Sequence, residues 1–215
     1  MDKKIGFIGC GNMGKAILGG LIASGQVQPG QIWVYTPSPD KVAALRDQYG
    51  INAASSAQEV AQIADIVFGA VKPGIMTKVL GDIASSLNKE SLVVSIAAGV
   101  TLEQLARALG HDRKIIRAMP NTPLMLGVGA TQLVKNAAAS EAQLAAVRSL
   151  FDAMGVTTVF EHEDMINEAI PYAGSAPAYI YAYADAMVQS AKKHGIDEKD
   201  ALQMFCQTMI GEAKM

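Results

Sequence analysis

Two hundred and fifteen residues, half of them hydrophobic and 18% charged, supply enough apolar material for a sizeable core in one large or two modest domains. The formal net charge of -2 is carried by scattered groups, so no nucleic-acid partner and no anionic membrane surface are expected. Two cysteines, Cys10 and Cys206, stand at opposite ends of the chain, and no apolar run reaches the ~20 residues of a membrane span; a cytoplasmic protein with no disulfide framework and no metal is expected.

A charged start leads at once into Ile5 to Ile8, an apolar run that reads as a buried strand. Asn12 to Ser24 follows as a helix, with Met13, Ile17 and Leu21 four apart on one face and Leu18 and Ile22 beside them. Gly25 and the pair Pro29-Gly30 end it. Ile32 to Tyr35 is a second strand, and Pro39 to Tyr49 a second helix stopped by Gly50. Ile66 to Val71, Leu92 to Ile96 and Lys114 to Ala118 are further strands with helical stretches between them. Strands that alternate with helices imply a parallel sheet covered on both faces, an α/β domain over residues 1–160.

Beyond Phe160 the pattern is helical: Asp164 to Ile170, Ser175 to His194, and Glu198 onward, with Asp197 able to cap the last helix. A boundary near Glu161 gives an all-helical domain over residues 161–215. Tyr179, Tyr183 and Met187 form an apolar stripe that needs a partner. The sequence stops mid-helix at Gly211-Glu212-Ala213-Lys214-Met215, so a second subunit, a longer natural chain, or both are expected to complete this domain.

Gly9-Cys10-Gly11-Asn12-Met13-Gly14 matches G-x-G-x-x-G between a strand and a helix. There the first glycine makes a tight turn, the second lets backbone approach a pyrophosphate, and the third lets the helix pack close to the strand. The helix N-terminus adds N–H donors and partial positive charge. Gly9, Gly14 and Lys15 also fit G-x-x-x-x-G-K, but Ala16 stands where a hydroxyl should meet Mg²⁺, so the dinucleotide reading is preferred. At the tip of the second strand the chain reads Val34-Tyr35-Thr36-Pro37-Ser38-Pro39-Asp40-Lys41. No carboxylate sits at the tip to receive a ribose 2′-hydroxyl, Thr36 and Ser38 can donate hydrogen bonds, and Lys41 adds charge; NADP is favoured, with NAD tolerable. His111, His162 and His194 read as surface residues, Cys10 as packing, and the eleven methionines as core filler.

Five stretches resemble the pyrroline-5-carboxylate reductase family of proline biosynthesis. They are Phe7 to Met13, Ala70-Val71-Lys72-Pro73, Ser95 to Val100, Arg117 to Pro123 and Gly174 to Tyr179. The resemblance implies a Rossmann-like domain followed by a helical dimerisation domain, a homodimer or higher homo-oligomer, and an active site completed between subunits. It places the cofactor on Ile8, Gly9, Cys10, Gly11, Asn12, Met13 and Gly14, with Ser38 near the 2′-phosphate. Ala70, Val71, Lys72 and Pro73, then Ile96, Ala97 and Ala98, line it at later strand ends. Glu163 and Ser175 are implied near the substrate; no catalytic acid or base is assigned. The implied reaction is hydride transfer from NADPH to the C=N bond of 1-pyrroline-5-carboxylate, giving L-proline.

Three departures qualify the expectation. Ala173 and Ala57 replace a serine and an asparagine common in the family, and a Ser-Pro-Gly-Gly-Thr-Thr segment would lie beyond Met215. A chain without that segment is expected to bind cofactor better than it reduces the imine. The alternatives are a β-hydroxyacid-type dehydrogenase, whose helix lysine Lys192 and Lys193 come too late to supply, and a non-catalytic NADP-binding module.

Overall fold

The computed structural model describes residues 2–215, and the chain divides into two compact units after Ala169. The first unit holds one eight-stranded sheet: β1 (Ile5–Ile8), β2 (Ile32–Tyr35), β3 (Asn52–Ala53), β4 (Ile66–Gly69), β5 (Leu92–Ser95), β6 (Lys114–Pro120), β7 (Gly129–Lys135) and β8 (Gly155–Val159). The strands lie in the order β3-β2-β1-β4-β5-β6-β7-β8. β2 pairs with one side of β1 and β4 with the other, so the chain reverses its direction of winding at β1 and opens a crevice there.

β1, β4 and β5 are buried at every position, because helices cover both faces of the sheet. On one face, Ile5 and Phe7 pack with Ile17, Leu18 and Leu21 of α1 (Asn12–Ala23), Leu45 of α2 (Pro39–Tyr49), and Leu144, Val147 and Leu150 of α6 (Glu141–Asp152). Phe7 stacks on Phe68 at 4.9 Å between ring centroids, and Phe68 meets Phe151 edge-on at 6.2 Å. On the other face, Ile8, Val67 and Val93 pack with α3 (Ala57–Ile63), α4 (Pro73–Ile83) and α5 (Leu102–Leu109).

The sheet is not parallel throughout. β6 and β7 are antiparallel, with Ala118 opposite Leu133. The connection over residues 121–128 carries only a short 3₁₀ turn at Thr122–Leu126, and a parallel crossover needs about a dozen residues or more. α6 then supplies a full crossover, so β8 runs parallel to β7. β3, β7 and β8 were not anticipated as strands: β3 has two residues, and β7 and β8 mix threonine, glutamine and glycine among their apolar residues. A last short helix, α7 (Asp164–Glu168), closes the first unit.

The second unit is helical. A wide π-type turn at Ile170–Gly174 leads into α8 (Ala176–Lys193), and α9 (Glu198–Lys214) follows. Asp197 caps α9, its Oδ1 accepting from the N–H groups of Lys199 at 2.9 Å and Asp200 at 3.3 Å. Tyr183 meets Phe205 edge-on at 5.1 Å, yet Tyr179, Ile180, Met187, Leu202, Met204 and Ile210 stay exposed on the single chain. Among the described residues no helix is long and apolar enough to cross a membrane.

β8 begins at a close approach of two backbones. Gly155 has φ 145°, and a Cβ there would lie 2.0 Å from the Gly129 carbonyl oxygen, whereas a Cβ on Gly99, at φ 74°, would meet nothing. Gly155→Ala is expected to lower stability by about 3 kcal/mol or more and Gly99→Ala by about 1 kcal/mol, measured by urea denaturation.

Candidate functional site

The glycine turn sits where β1 meets α1, and its three glycines have three different reasons. Gly9 has φ 76°, and a Cβ on it would lie 2.6 Å from Val71 and 2.7 Å from the Ala70 carbonyl oxygen. A Cβ on Gly14 would lie 3.0 Å from the Ala70 Cβ, so a side chain there would push α1 away from the end of β4. Gly11 differs: its φ is -73°, and a Cβ would meet nothing within 4 Å. Neither backbone conformation nor packing within the protein calls for glycine at that position. Glycine is an accepted N-cap, and its lack of a side chain leaves open space against the backbone here.

Gly11 is also the N-cap of α1, and no side chain caps this helix. The first internal bond runs from Lys15 N–H to the Gly11 carbonyl at 2.8 Å, so the N–H groups of the first turn have no helical acceptor. They border a cleft of about 510 Å³ at the carboxyl ends of β1, β2, β4 and β5. Gly9, Cys10, Gly11, Asn12, Met13 and Gly14 form one wall, Ala70 to Pro73 a second, and Ile96 to Ala98 the far end. Ser38, Thr36 and Lys41 lie at the near end. Ile8 lines an adjoining slot of about 280 Å³ with Tyr35, Pro37, Val71, Ile75 and the polar Gln58 and Asp82.

A larger groove of about 780 Å³ runs along another side of α1. Its walls are small residues of α1, Tyr49, Met154 and the apolar Leu124–Leu126, with Lys15 as the sole charged group. The smaller cleft is the better candidate, because an uncapped helix N-terminus, two strand-end loops and a cation converge on it.

At its near end, Ser38 is the N-cap of α2 but does not spend its hydroxyl on capping; its N–H donates to Thr36 Oγ1 at 3.2 Å. Pro39 at the first helical position fixes the start of α2. Lys41 lines the cleft, whereas Asp40 does not. Cys10 is half-buried in the turn, and burial pushes its thiol up to about 11, opposed by the smaller effect of Lys15. His111, His162 and His194 are exposed. Among the described residues no cluster of His, Cys, Asp and Glu is arranged to hold a metal ion.

Glu163 and Arg117 form a group that sequence reasoning did not connect. Arg117, in the middle of β6, is only 2% exposed. Its Nη1 donates to Glu163 Oε1 at 2.7 Å, and its Nη2 to Asn167 Oδ1 at 3.3 Å. The same Glu163 oxygen accepts from the N–H of Leu102, the first residue of α5, at 2.7 Å. A buried guanidinium left without its carboxylate would cost about 3–5 kcal/mol. The available signal was a lone arginine inside the buried run Lys114 to Ala118, which requires a counter-charge. Ser175, in the helical unit, precedes α8, and its N–H donates to the Ile170 carbonyl at 2.8 Å across the π-type turn.

Comparison with known proteins agrees with this architecture. Residues 4–99 match the family model described as NADP oxidoreductase coenzyme F420-dependent, and residues 163–215 match the one described as pyrroline-5-carboxylate reductase dimerisation. The pyrroline-5-carboxylate reductase of Escherichia coli K12 is 64% identical over 215 residues, covering 100% of this chain and 80% of its own length. A pyrroline-5-carboxylate reductase structure from Coxiella burnetii superposes with a TM-score of 0.94 at 34% identity, covering 100% of this chain and 80% of that one. The Plasmodium falciparum pyrroline carboxylate reductase crystallised with NADP bound gives 0.89 at 28% identity, covering 100% and 78%. Whole-chain identity at this level, on a matching fold and with the dimerisation model in its place, shows that the chain belongs to the pyrroline-5-carboxylate reductase family.

Proposed function

We propose that this chain reduces the C=N bond of 1-pyrroline-5-carboxylate to give L-proline, with NADPH as the preferred cofactor. The observation that carries the reading is the open space over Gly11 at the uncapped start of α1. That space fits a pyrophosphate, which the N–H groups of the first turn and the positive end of the helix would hold. At the near end of the cleft Ser38, Thr36 and Lys41 would take the 2′-phosphate, and no carboxylate lines that end to repel it. The apolar slot beside Ile8 and Tyr35 would take the adenine. Ala70 to Pro73 and Ile96 to Ala98 then border the end where the nicotinamide would lie.

The glycine turn, Ala70 to Pro73 and Ile96 to Ala98 would hold NADPH, which would supply the hydride for the imine carbon. The ring nitrogen gains one proton overall, so one imine, one NADPH and one proton give proline and NADP. A protonated imine is already strongly electrophilic, and the protein's task is orientation and exclusion of water more than strong acid catalysis. Ser175 is proposed as a hydroxyl donor to the substrate carboxylate. The helical unit matches a dimerisation model, and its exposed apolar stripes suit a homodimer or larger homo-oligomer. Neither Cys10 nor Cys206 is in a disulfide, which suits a reducing cytoplasm.

Purified protein mixed with NADPH and pyrroline-5-carboxylate is expected to consume nicotinamide absorbance faster than with NADH; absence of turnover alongside tight NADPH binding would reduce the reading to a cofactor-binding protein. Gly11→Val is expected to lower the melting temperature by about 4 °C or less, the cost of a poorer N-cap, and to weaken NADPH binding by about tenfold or more, because its side chain fills space that the cofactor would use. With its thiol near 11, Cys10 is about one part in a thousand thiolate at pH 8, so iodoacetamide labelling of this residue should be slow at neutral pH. The rate should rise about tenfold per pH unit until the pH approaches 11, followed by mass spectrometry of the peptide containing it.

A further inference from the structure

We infer that Glu163 is a positioning residue for the nicotinamide end of the cleft, acting through the first turn of α5. This rests on the cleft being a cofactor site. The loop after β5 supplies Ile96, Ala97 and Ala98 to the far end of the cleft and then enters α5 at Leu102. At its start the loop is tied to the sheet: Ile96 N–H donates to the Gly69 carbonyl at 3.2 Å, and Ala97 N–H to Ser95 Oγ at 3.4 Å. Between Ala98 and the helix, Gly99 turns through φ 74° with no atom within 4 Å of where a Cβ would be, so packing does not wedge it in place.

The tie at the end of the loop is Glu163. One carboxylate oxygen accepts from both Leu102 N–H and Arg117 Nη1, each at 2.7 Å. Arg117 belongs to β6 beside β5, with Ser95 opposite it in the register. Asn167, four residues after Glu163 on α7, accepts from the other arm of the guanidinium. Val100 and Leu105 also pack into the core beside Val93 and Ile115, and the first turn of the helix is in addition referenced to the sheet through one shared oxygen; the positive end of α5 favours the negative charge held there. A displacement of this entry moves the loop that borders the reacting ring and leaves the glycine turn and the Ser38 end where they are.

The test compares NADPH with 2′-phospho-ADP-ribose, which lacks the nicotinamide, by calorimetric binding to the intact protein. Three variants separate the roles: Glu163→Ala removes the carboxylate, Glu163→Gln keeps an acceptor for Leu102 N–H, and Leu102→Pro removes that donor, together with the half-buried leucine side chain, while leaving the carboxylate on Arg117. Proline is accepted at a first helical position, and Thr101 before it is already extended at φ -80° and ψ 159°. Leu102→Pro and Glu163→Ala are expected to weaken NADPH about tenfold and turnover about a hundredfold, with the fragment bound as in wild type. Glu163→Gln should recover most of the loss.

Fragment and NADPH weakened alike would make the group a general stabiliser and overturn the inference. So would Leu102→Pro with wild-type NADPH affinity, which decides the matter even if Glu163→Ala does not fold. Glu163→Gln as impaired as Glu163→Ala in KM for the imine, with NADPH affinity unchanged, would make Glu163 a direct substrate contact and also overturn it. Wild-type protein that binds neither ligand overturns the cofactor reading and this inference with it; wild type that binds both, with unaltered variants, overturns the inference alone.

Discussion

The approach of α1 to the ends of β1 and β4 is the constraint on which the site depends. Gly9 and Gly14 allow it, since a methyl group on either would meet Val71 or Ala70 at 3.0 Å or less. Because the helix starts so close to the sheet, its uncapped N–H groups open onto the crevice where the winding direction reverses. An anion that enters the crevice meets fixed dipoles which need no rearrangement. The loops after β4 and β5 then close the walls at a width set by that helix.

The far end of the cleft is governed by different physics. A charged side chain with 2% exposure in a central strand is tolerated only when its hydrogen bonds are met by groups of opposite charge or dipole. Glu163 and Asn167 meet those of Arg117, and in doing so fasten α5 and α7 to the sheet. The near end needs no such device, because Ser38 stands at a helix start already fixed by Pro39.

Much of this was legible in the residues. Continuous apolar runs marked β1, β4 and β5, which are buried on both faces, and β2, whose Trp33 and Tyr35 are only half-buried but still hydrophobic. The spacing of Gly9, Gly11 and Gly14 placed the cleft, and every residue assigned to the cofactor lines it or the slot beside it. The antiparallel β7 was hidden, because direction is set by the length of the connection and not by composition. β8 was hidden by its threonines and its position at the sheet edge. The Arg117–Glu163 pair joins residues 46 positions apart, a separation that local pattern cannot report.

The placement of β1 has a consequence for how the chain assembles. Although first in sequence, it lies inside the sheet, and half of its ladder comes from Ile66 to Gly69. During synthesis the hairpin-free amino-terminal segment cannot complete its backbone pairing until β4 has emerged, and its apolar residues stay exposed for that interval. The same β1–β4 seam forms the floor of the crevice, so the crevice has no floor until residues far apart in the chain have paired.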